Sequence, residues 1–394
     1  MRVVVSGGGT AGHILPTLAT SDALKALDSS VELLYIGQAG GMEAKIVAGA
    51  GLTFAPISAG KFRRNHFDSG LAKIFNVSTL GPNARDSLKT IQGVGQAMRI
   101  LRSFKPDVVF LKGGYVCLPV GIAAKMLGIP FVIHESDVTP GLTNRILSRW
   151  ADKIAVGFPV KSYRLFDPSK LAYVGNPVRT NILSSHRLEG VAHFGLEELV
   201  PVVLITGGSQ GAAQINNAVL DALGELTTSY QIIHQTGEGE IARIRFELGR
   251  MGKLPHLDRY HPYGFMMNDM GLALAAADLV IGRAGVNTIN DSAVLGKPTI
   301  LIPNYEMAGH QVENARVLSR QGAVRVLDGA TLTGAKLLAE ITTVLGDEAE
   351  QARLSAAIRP FGRLEAADDL AKLVLSCAHH TSDNEQNTNE EGAQ

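Results

Sequence analysis

The sequence predicts an α/β protein built from two Rossmann-like, doubly wound domains that face a cleft. Short apolar runs typical of buried parallel strands recur along the chain, and stretches with helical spacing separate them. The pattern of strand, glycine turn and helix starts twice, at residues 3–13 and again at residues 202–212. With 394 residues, of which 45% are hydrophobic, the chain is long enough for two cores.

The first domain is predicted to span residues 1–174 and to contain six strands. We expect them at 3–5, 31–37, 105–110, 130–133, 152–158 and 171–175. The glycine turn after the first strand lacks the Walker A lysine, and it is not a clean G-x-G-x-x-G fingerprint because Gly12 is followed by His13 and then Pro16. His13 follows this turn at the start of a helix, where an anion would also bind. A histidine with a purely structural role is the alternative.

The second domain is predicted to span residues 175–363, after a connector rich in glycine and proline at 175–179. We expect strands at 202–206, 231–235, 277–281, 299–303 and 323–327, with glycine turns at 207–212 and 282–291. The turn at 282–291 leads into a helix, so its amides and Asp291 suit the phosphate and ribose of a nucleotide. An ordinary turn with a solvated aspartate is the alternative.

The end of the chain is predicted to leave the second domain. A helix over residues 364–378 is expected to pack back on the first domain, and the polar residues 379–394 are expected to form a disordered tail.

Composition limits the function classes. The formal net charge is zero, which gives no argument for nucleic-acid binding. Cys117 and Cys377 lie far apart in sequence and fit a reducing compartment. No run reaches the roughly 20 apolar residues of a membrane-spanning helix, so we expect a cytoplasmic protein that is at most peripheral to a membrane. Residues 61–84 mix cations with large apolar side chains, which predicts either a membrane-surface patch or an ordinary surface loop.

The glycine turns predict anion binding rather than hydrolysis of a nucleoside triphosphate. No Walker lysine and no Asp-x-Asp metal motif is present, and the turn at 207–211, which has the letters of G-x-S-x-G, is interpreted as a phosphate-binding turn rather than a nucleophile turn. Arg179 can donate two parallel N–H bonds to a diphosphate, and His310 with Gln311 suits sugar hydroxyls. Together these features predict a nucleotide-diphospho-sugar bound between the two domains.

An ordered set of motifs resembles the MurG family, the GT-B glycosyltransferases of family 28 that make lipid II. The similarity extends from Met1 to about Leu375, and the order of the motifs is more specific than any one of them. The motifs stand at residues 8–13, 113–115, 134–135, 175–179, 207–212, 283–285, 310–311 and 314–315.

The resemblance implies that the second domain binds UDP-N-acetylglucosamine. Arg179 and Ser209 would hold its diphosphate, the backbone at Met267 would contact uracil, and Gln311 would bind the sugar. The residues implied at this donor are Thr10, Ala11, Gly12, Asp137, Arg179, Ser209, Met267, Val286, Asn287, Thr288, Ile289, Asn290, Asp291 and Gln311.

The implied acceptor is lipid I, which is undecaprenyl-pyrophosphoryl-N-acetylmuramyl pentapeptide. The first turn, from Thr10 to His13, would face it, with Tyr115, His134 and Glu135 as further candidates on the acceptor side. His13 resembles the general base for the muramyl C4 hydroxyl in an inverting displacement that releases UDP. No cofactor and no metal site are implied, although a divalent cation is compatible with the reaction.

The sequence departs from the family at four positions and leaves two other functions open. Ala11 replaces a usual glycine, Asp137 a usual asparagine, Asp291 a usual glutamate, and Gly309 a usual aspartate or asparagine. The alternatives are another GT-B enzyme, such as a diacylglycerol glycosyltransferase, and a non-catalytic protein that binds nucleotide sugars. The implied location is the cytoplasmic face of the membrane, where proteins of cell-wall synthesis would be partners.

Overall fold

The computed structural model describes residues 1–9, 11–61, 77–178, 180–208, 210–305 and 309–391. The chain forms two compact units. Unit 1 contains Met1–Pro177 together with Leu364–Gln394, and unit 2 contains Val178–Arg363. Each unit has its own parallel sheet with helices between consecutive strands.

Seven parallel strands form the sheet of unit 1. They are β1 (Arg2–Ser6), β2 (Glu32–Gln38), β3 (Thr53–Ile57), β4 (Val108–Leu111), β5 (Phe131–Glu135), β6 (Lys153–Val156) and β7 (Leu171–Tyr173). Their order across the sheet is β3-β2-β1-β4-β5-β6-β7. Val3, Val4 and Val5 of β1 are completely buried, as expected for the central strand of a sheet covered on both faces.

The helices of unit 1 lie between these strands. They are α1 (Ala11–Leu27), α2 (Glu43–Gly49), α3 (Val77–Phe104), α4 (Cys117–Met126) and α5 (Leu142–Leu147), with short 3₁₀ helices at Val160–Ser162 and Pro168–Lys170. Residues 62–76 of the expected membrane-surface patch at 61–84 lie outside the described residues. None of the described helices is both long enough and apolar enough to cross a bilayer.

The C-terminal helix, Ala366–Glu391, belongs to unit 1. Its Leu370 and Val374 are buried in one cluster with Val3 and Val5 of β1 and Leu24 of α1. The assigned helix continues to Glu391, whereas the polar composition predicted disorder from residue 379. The helix continues because each added residue gains one hydrogen bond for one residue fixed in position. Neither proline nor glycine interrupts this segment before Gly392.

Six parallel strands form the sheet of unit 2. They are β8 (Val202–Thr206), β9 (Gln231–Gln235), β10 (Tyr260–Tyr263), β11 (Leu279–Gly282), β12 (Thr299–Leu301) and β13 (Arg325–Val326), in the order β10-β9-β8-β11-β12-β13. The intervening helices are α6 (Thr180–Leu183), α7 (Arg187–Phe194), α8 (Ala213–Asp221), α9 (Leu223–Ser229), α10 (Ile241–Arg250), α11 (Met270–Ala276), α12 (Val286–Leu295), α13 (His310–Arg320), α14 (Gly334–Leu345) and α15 (Glu348–Ile358). Separate apolar clusters cover the two faces of this sheet.

The sheets contain seven and six strands, where the sequence predicted six and five. The two strands missing from the prediction are β3 and β10, and both are edge strands. Pro56 lies in β3 and Pro262 lies in β10. Because proline cannot donate to a sheet ladder, it weakens the sequence signal for a strand but is tolerated at an edge.

Candidate functional site

The strand order places the predicted motifs at the same location in each sheet. In unit 1 the strands β2 and β3 lie on one side of β1, and the strands from β4 onward lie on its other side, so the strand order reverses between β1 and β4. In unit 2 the order reverses in the same way between β8 and β11. Ligands of open α/β sheets bind outside the carboxyl ends of the strands at such a reversal. The turn after β1 and residues 112–115 meet this condition in unit 1, and the turns at 207–212 and 282–285 meet it in unit 2.

A buried carboxylate supports the first glycine turn. Glu43 of α2 is only 1% exposed, and its Oε1 accepts a hydrogen bond of 2.8 Å from the Gly9 amide. A Cβ atom on Gly8 would lie 2.3 Å from the same oxygen, so glycine is required there. The half-buried Tyr115 packs beside Gly9 and donates a hydrogen bond to Gln38 Oε1. Burial, followed by the charge of Glu43, raises the pKa of Tyr115.

The turn after β4 lies directly against the first glycine turn. Gly114 has a φ of +85°, and a Cβ atom there would lie 2.2 Å from the Gly8 carbonyl and 3.3 Å from His13 Cδ2. Glycine is therefore needed for both the backbone conformation and the close approach. The glycines of the predicted Gly113-Gly114-Tyr115 motif bring this turn against the first turn and His13.

His13 is the third residue of α1 and is half-buried. Its Nδ1 atom is buried and has no hydrogen-bond partner among the described residues. Burial, and then the positive charge of Lys112, lowers the pKa of His13 to about 4. The imidazole is therefore neutral near pH 7 and able to accept a proton.

His134 and Glu135, which were predicted on the acceptor side, are buried supports of the loop after β5. His134 is completely buried, and its Nε2 lies 2.8 Å from the Gly175 carbonyl oxygen. Glu135 accepts hydrogen bonds from the amides of Asp137 and Gly141 and from Asn144 Nδ2. The bonds of Glu135 shape the loop at 136–141, which contains the half-buried Asp137, and the contact of His134 ties β5 to Gly175.

In unit 2 the second glycine turn contacts the turn after β9. Gly211 has a φ of +74°, and a Cβ atom there would lie 2.2 Å from the Thr236 carbonyl oxygen. Asn216 of α8 donates a 3.0 Å hydrogen bond to the same carbonyl, and His234 lies 3.1 Å from Asn216 Oδ1. The turn at 207–212 is therefore anchored by buried polar contacts to β9.

The third turn, 282–285, leads into α12, which begins two residues earlier than the predicted Thr288. Ile289 donates its amide to Gly285 within the helix, so the amides of Val286, Asn287 and Thr288 have no carbonyl of this helix to bond. Asn287 is exposed, Val286, Thr288 and Asp291 are half-buried, and Ile289 and Asn290 are buried. Of the six predicted residues, Ile289 and Asn290 therefore direct their side chains into unit 2.

Two further predicted donor residues lie in unit 2, Met267 on a loop and Gln311 in α13. Met267 is 51% exposed, and the preceding Met266 amide donates a 2.9 Å hydrogen bond to Gln235 Oε1. Gln311, the second residue of α13, accepts a 3.0 Å hydrogen bond from the Asn304 amide. Both positions are thus held by backbone contacts, and Met267 presents its side chain to solvent.

Three predicted residues, Thr10, Arg179 and Ser209, lie outside the described residues. Ala11 and Gly12 are the first two residues of α1. Within the described part of the chain, no three histidine, cysteine, aspartate or glutamate side chains are grouped so that they could hold a metal ion.

Sequence reasoning did not assign roles to Lys112, Glu43 or Asn144. All three are polar residues at buried positions, with exposures of 1%, 1% and 4%. The position of Lys112 could have been predicted from the sequence, because a lysine directly after an apolar strand and before two glycines lies at the carboxyl edge of the sheet. Glu43 and Asn144 become visible only when the tertiary contacts are known.

Comparisons with known proteins agree with this architecture. The sequence matches the glycosyltransferase family 28 N-terminal domain over residues 3–156 and the family 28 C-terminal domain over residues 202–374. A UDP-N-acetylglucosamine–N-acetylmuramyl-(pentapeptide) pyrophosphoryl-undecaprenol N-acetylglucosamine transferase of Bacillus licheniformis is 38% identical over 382 residues, covering 96% of this chain and 100% of the relative. A protein of the same name from Halalkalibacterium halodurans is 36% identical over 380 residues, covering 96% of this chain and 100% of the relative.

A solved structure is similar over nearly the whole chain. The crystal structure of Acinetobacter baumannii MurG has a TM-score of 0.73 and 26% sequence identity, and the match covers 95% of this chain and 99% of that one. The GT-B fold class predicted from the sequence is thereby confirmed.

Proposed function

Because the chain belongs to glycosyltransferase family 28, we infer that it transfers N-acetylglucosamine from UDP-N-acetylglucosamine to lipid I and so forms lipid II in peptidoglycan synthesis. One observation carries this conclusion: full-length relatives with 36–38% identity are named as the enzyme for this reaction. The predicted function and enzyme class agree with these relatives.

We propose that unit 2 binds the donor. The amides at the start of α12 and the anchored turn at 207–212 suit the diphosphate, because helix N-termini and glycine turns offer free N–H groups to anions. Asp291 is half-buried one turn into α12 and is assigned to the ribose hydroxyls. Arg179 and Ser209 are assigned to the diphosphate, the Met267 backbone to uracil and Gln311 to the sugar.

We propose that unit 1 binds the acceptor and supplies the base. The neutral His13 imidazole accepts the proton of the muramyl C4 hydroxyl while that oxygen attacks the anomeric carbon of N-acetylglucosamine. The bond from this carbon to UDP breaks in the same displacement, which inverts the configuration. The pKa of His13, about 4, keeps the base available but weak, so close positioning of the hydroxyl is essential.

Charge on the leaving UDP is balanced by Arg179 and by the amides of unit 2 in this proposal. A divalent cation is therefore not required as a cofactor. Transfer in the presence of EDTA tests this point, and turnover that disappears with EDTA and returns with Mg²⁺ would contradict it.

We propose that the enzyme acts peripherally at the cytoplasmic face of the membrane. Its acceptor carries an undecaprenyl chain, and residues 61–84 combine cations with large apolar side chains. Proteins of cell-wall synthesis are the partners expected there. Binding to vesicles of anionic lipid, compared with binding after replacement of Phe62, Phe67 and Phe75 by serine, tests this surface.

The experiment for the proposed function is transfer of labelled sugar from UDP-N-acetylglucosamine in competing reactions. Lipid I and diacylglycerol are supplied together, and the labelled lipids are separated. We expect the label on the lipid I acceptor. Label on diacylglycerol would identify the other GT-B activity, and UDP-sugar binding without transfer to either lipid would identify a non-catalytic binding protein.

A further inference from the structure

Lys112 is a buried cation at the carboxyl end of β4, in the middle of the unit 1 site. It is 1% exposed and belongs to the largest fully buried side chains of the protein. Its amide donates a 2.8 Å hydrogen bond to the Ser6 carbonyl, which continues the pairing of β4 with β1. A buried ammonium is strongly unfavourable unless other groups compensate its charge.

The loop after β5 provides this compensation. The Lys112 ammonium donates a hydrogen bond to Ser136 Oγ, and Ser136 stands between Glu135 and Asp137. Burial lowers the pKa of Lys112 to about 8, while the negative charges of Glu135 and Asp137 oppose this decrease. Lys112 therefore keeps its proton at pH 7, as one cation beside two carboxyl groups. Burial raises the pKa of Glu135 in the same cluster.

The same ammonium acts on both histidines of the cluster. After burial, the charge of Lys112 is the next cause that lowers the pKa of His13 and of His134. The packing agrees, because a Cβ atom on Gly7 would lie 3.0 Å from both Lys112 Cβ and the His13 carbonyl oxygen, and a Cβ atom on Gly114 would lie 3.3 Å from His13 Cδ2. His134 is completely buried and its Nε2 contacts the Gly175 carbonyl oxygen, so His13 is the imidazole of this pair that can contact a ligand.

Other titratable groups of unit 1 face this cluster from each packed element. Glu43 reaches it from α2, and Cys117 from the start of α4, where burial raises the pKa of the thiol to about 11. Tyr35 from β2 donates its hydroxyl to the Gly7 carbonyl. The pKa of His13 is lowered by burial and by the charge of Lys112. A substitution that tests this effect should therefore remove the charge of Lys112.

We propose that Lys112 is a positioning residue for the transfer reaction. Its buried ammonium holds the loop after β5 through Ser136 and, in addition to burial, disfavours the protonated form of His13 beside the first glycine turn. This inference rests on the proposed function, in which His13 accepts the proton of the acceptor hydroxyl. Lys112 itself is buried and acts through His13 and the loop.

The test replaces Lys112 by methionine, which has a similar length and no charge. The His13 resonance is followed by pH titration in the substrate-free protein carrying ¹³C-labelled histidine, with His13→Gln used for assignment. Lys297→Met is the matched control, because Lys297 is a half-buried lysine whose pKa is likewise lowered to about 8, but it lies in unit 2 and donates to the Ala275 and Ala277 carbonyls.

We expect Lys112→Met to raise the pKa of His13 by at least about half a unit, and Lys297→Met to leave it unchanged. The acidic limb of log kcat/KM should move to higher pH by the same amount in Lys112→Met. If the single variant does not fold, Lys112→Met with Asp137→Asn removes one charge of each sign and is measured in the same way.

Each outcome decides the proposal. A His13 titration that is unchanged in Lys112→Met, with only thermal stability reduced, would make Lys112 a structural residue and overturn it. A shifted titration with an unmoved acidic limb would also overturn it, because the altered imidazole would then not be the base. Failure of the proposed function is distinct from both, since the unaltered enzyme would then transfer no sugar to lipid I.

Discussion

Single buried side chains determine the shape of the unit 1 site, and Glu43 offers a direct test at the residue scale. Its carboxylate accepts the Gly9 amide at 2.8 Å and is 1% exposed. Glu43→Ala leaves that amide without its acceptor, which should reduce the free energy of unfolding by about 1–3 kcal/mol. We also expect lower kcat with unchanged UDP affinity, because the nucleotide is assigned to unit 2.

Glu43→Gln is the matched control for this prediction. Its amide oxygen can still accept the Gly9 amide, so we expect stability and kcat closer to those of the unaltered enzyme. Chemical unfolding and steady-state kinetics measure both quantities. Equal stability of Glu43→Ala and the unaltered protein would show that the first turn does not depend on this carboxylate.

Asp291 tests the donor side at the same scale. It is half-buried on α12, and the ribose hydroxyls are its proposed partners. Asp291→Ala should weaken UDP binding by about 1.5–3 kcal/mol, the usual contribution of a hydrogen bond to a charged group. Asp291→Glu keeps the carboxylate and should bind nearly as well. A calorimetric titration with UDP measures both, and equal affinity of Asp291→Ala and wild type would remove the ribose role.

At the scale of elements, turns that touch other turns set the geometry of the site. Gly211→Ala would place a Cβ atom 2.2 Å from the Thr236 carbonyl at a φ of +74°. We expect a loss of about 1–3 kcal/mol in stability and weaker UDP binding, because the turn at 207–212 must move.

Gly249→Ala in α10 is the control. A Cβ atom there would meet nothing within 4 Å, so this variant should be neutral or slightly stabilising. Thermal unfolding compares the two, and similar effects would show that the contact of these turns is not required.

The sequence was informative about elements wherever local patterns determine structure. Buried strands such as Val202–Thr206 are continuous apolar runs followed by glycine, and they were predicted with their turns. The edge strands Thr53–Ile57 and Tyr260–Tyr263 were missed because each contains a proline and is only partly buried. An edge strand forms backbone hydrogen bonds with only one neighbouring strand. That pairing depends on tertiary contacts, and the local sequence of these short segments does not determine it.

The candidate site was predictable in position but less so in its supports. Strand–glycine–helix patterns locate His13 in unit 1 and the start of α12 in unit 2, because each turn follows the carboxyl end of a strand in its own sheet. The contacts of Lys112, Glu43 and Asn144 join residues that are 24, 34 and 9 positions apart in sequence. Local patterns do not determine such pairs. His134 and Glu135 were predicted on the acceptor side, but their burial could be seen only in the fold.

At the scale of the whole molecule, buried neutral histidines make stability depend on pH. The folded pKa is lowered to about 4 for His13 and about 3 for His234, and it is well below the ordinary value for His134. The unfolded chain therefore binds more protons below about pH 6.5, and stability falls as pH decreases from there toward 4. Each histidine adds about 1.4 kcal/mol per pH unit in this window. The raised pKa values of Glu135 and Asp22 act in the opposite direction, whereas the lowered pKa of His261 acts in the same direction as those of the three histidines.

Calorimetric melting between pH 7 and pH 4.5 measures this dependence. His234→Gln removes one of these histidines and should reduce the slope by about 1.4 kcal/mol per pH unit. Its ring contacts Tyr260 and Asn216, so a glutamine can retain part of the hydrogen bonding. A melting temperature that stays constant from pH 7 to pH 5 would contradict the assignment of these histidines as neutral in the folded protein.

The central claim is that unit 1 supplies the base and unit 2 binds the donor. It is tested most directly by the kinetics of His13→Ala over a range of lipid I concentrations, together with a UDP titration. Removing a positioned proton acceptor should lower kcat by roughly 10²–10⁴-fold. UDP affinity should be unchanged, because the donor is assigned to unit 2. A normal kcat with only a higher KM for lipid I would contradict His13 as the base and leave it as an acceptor contact.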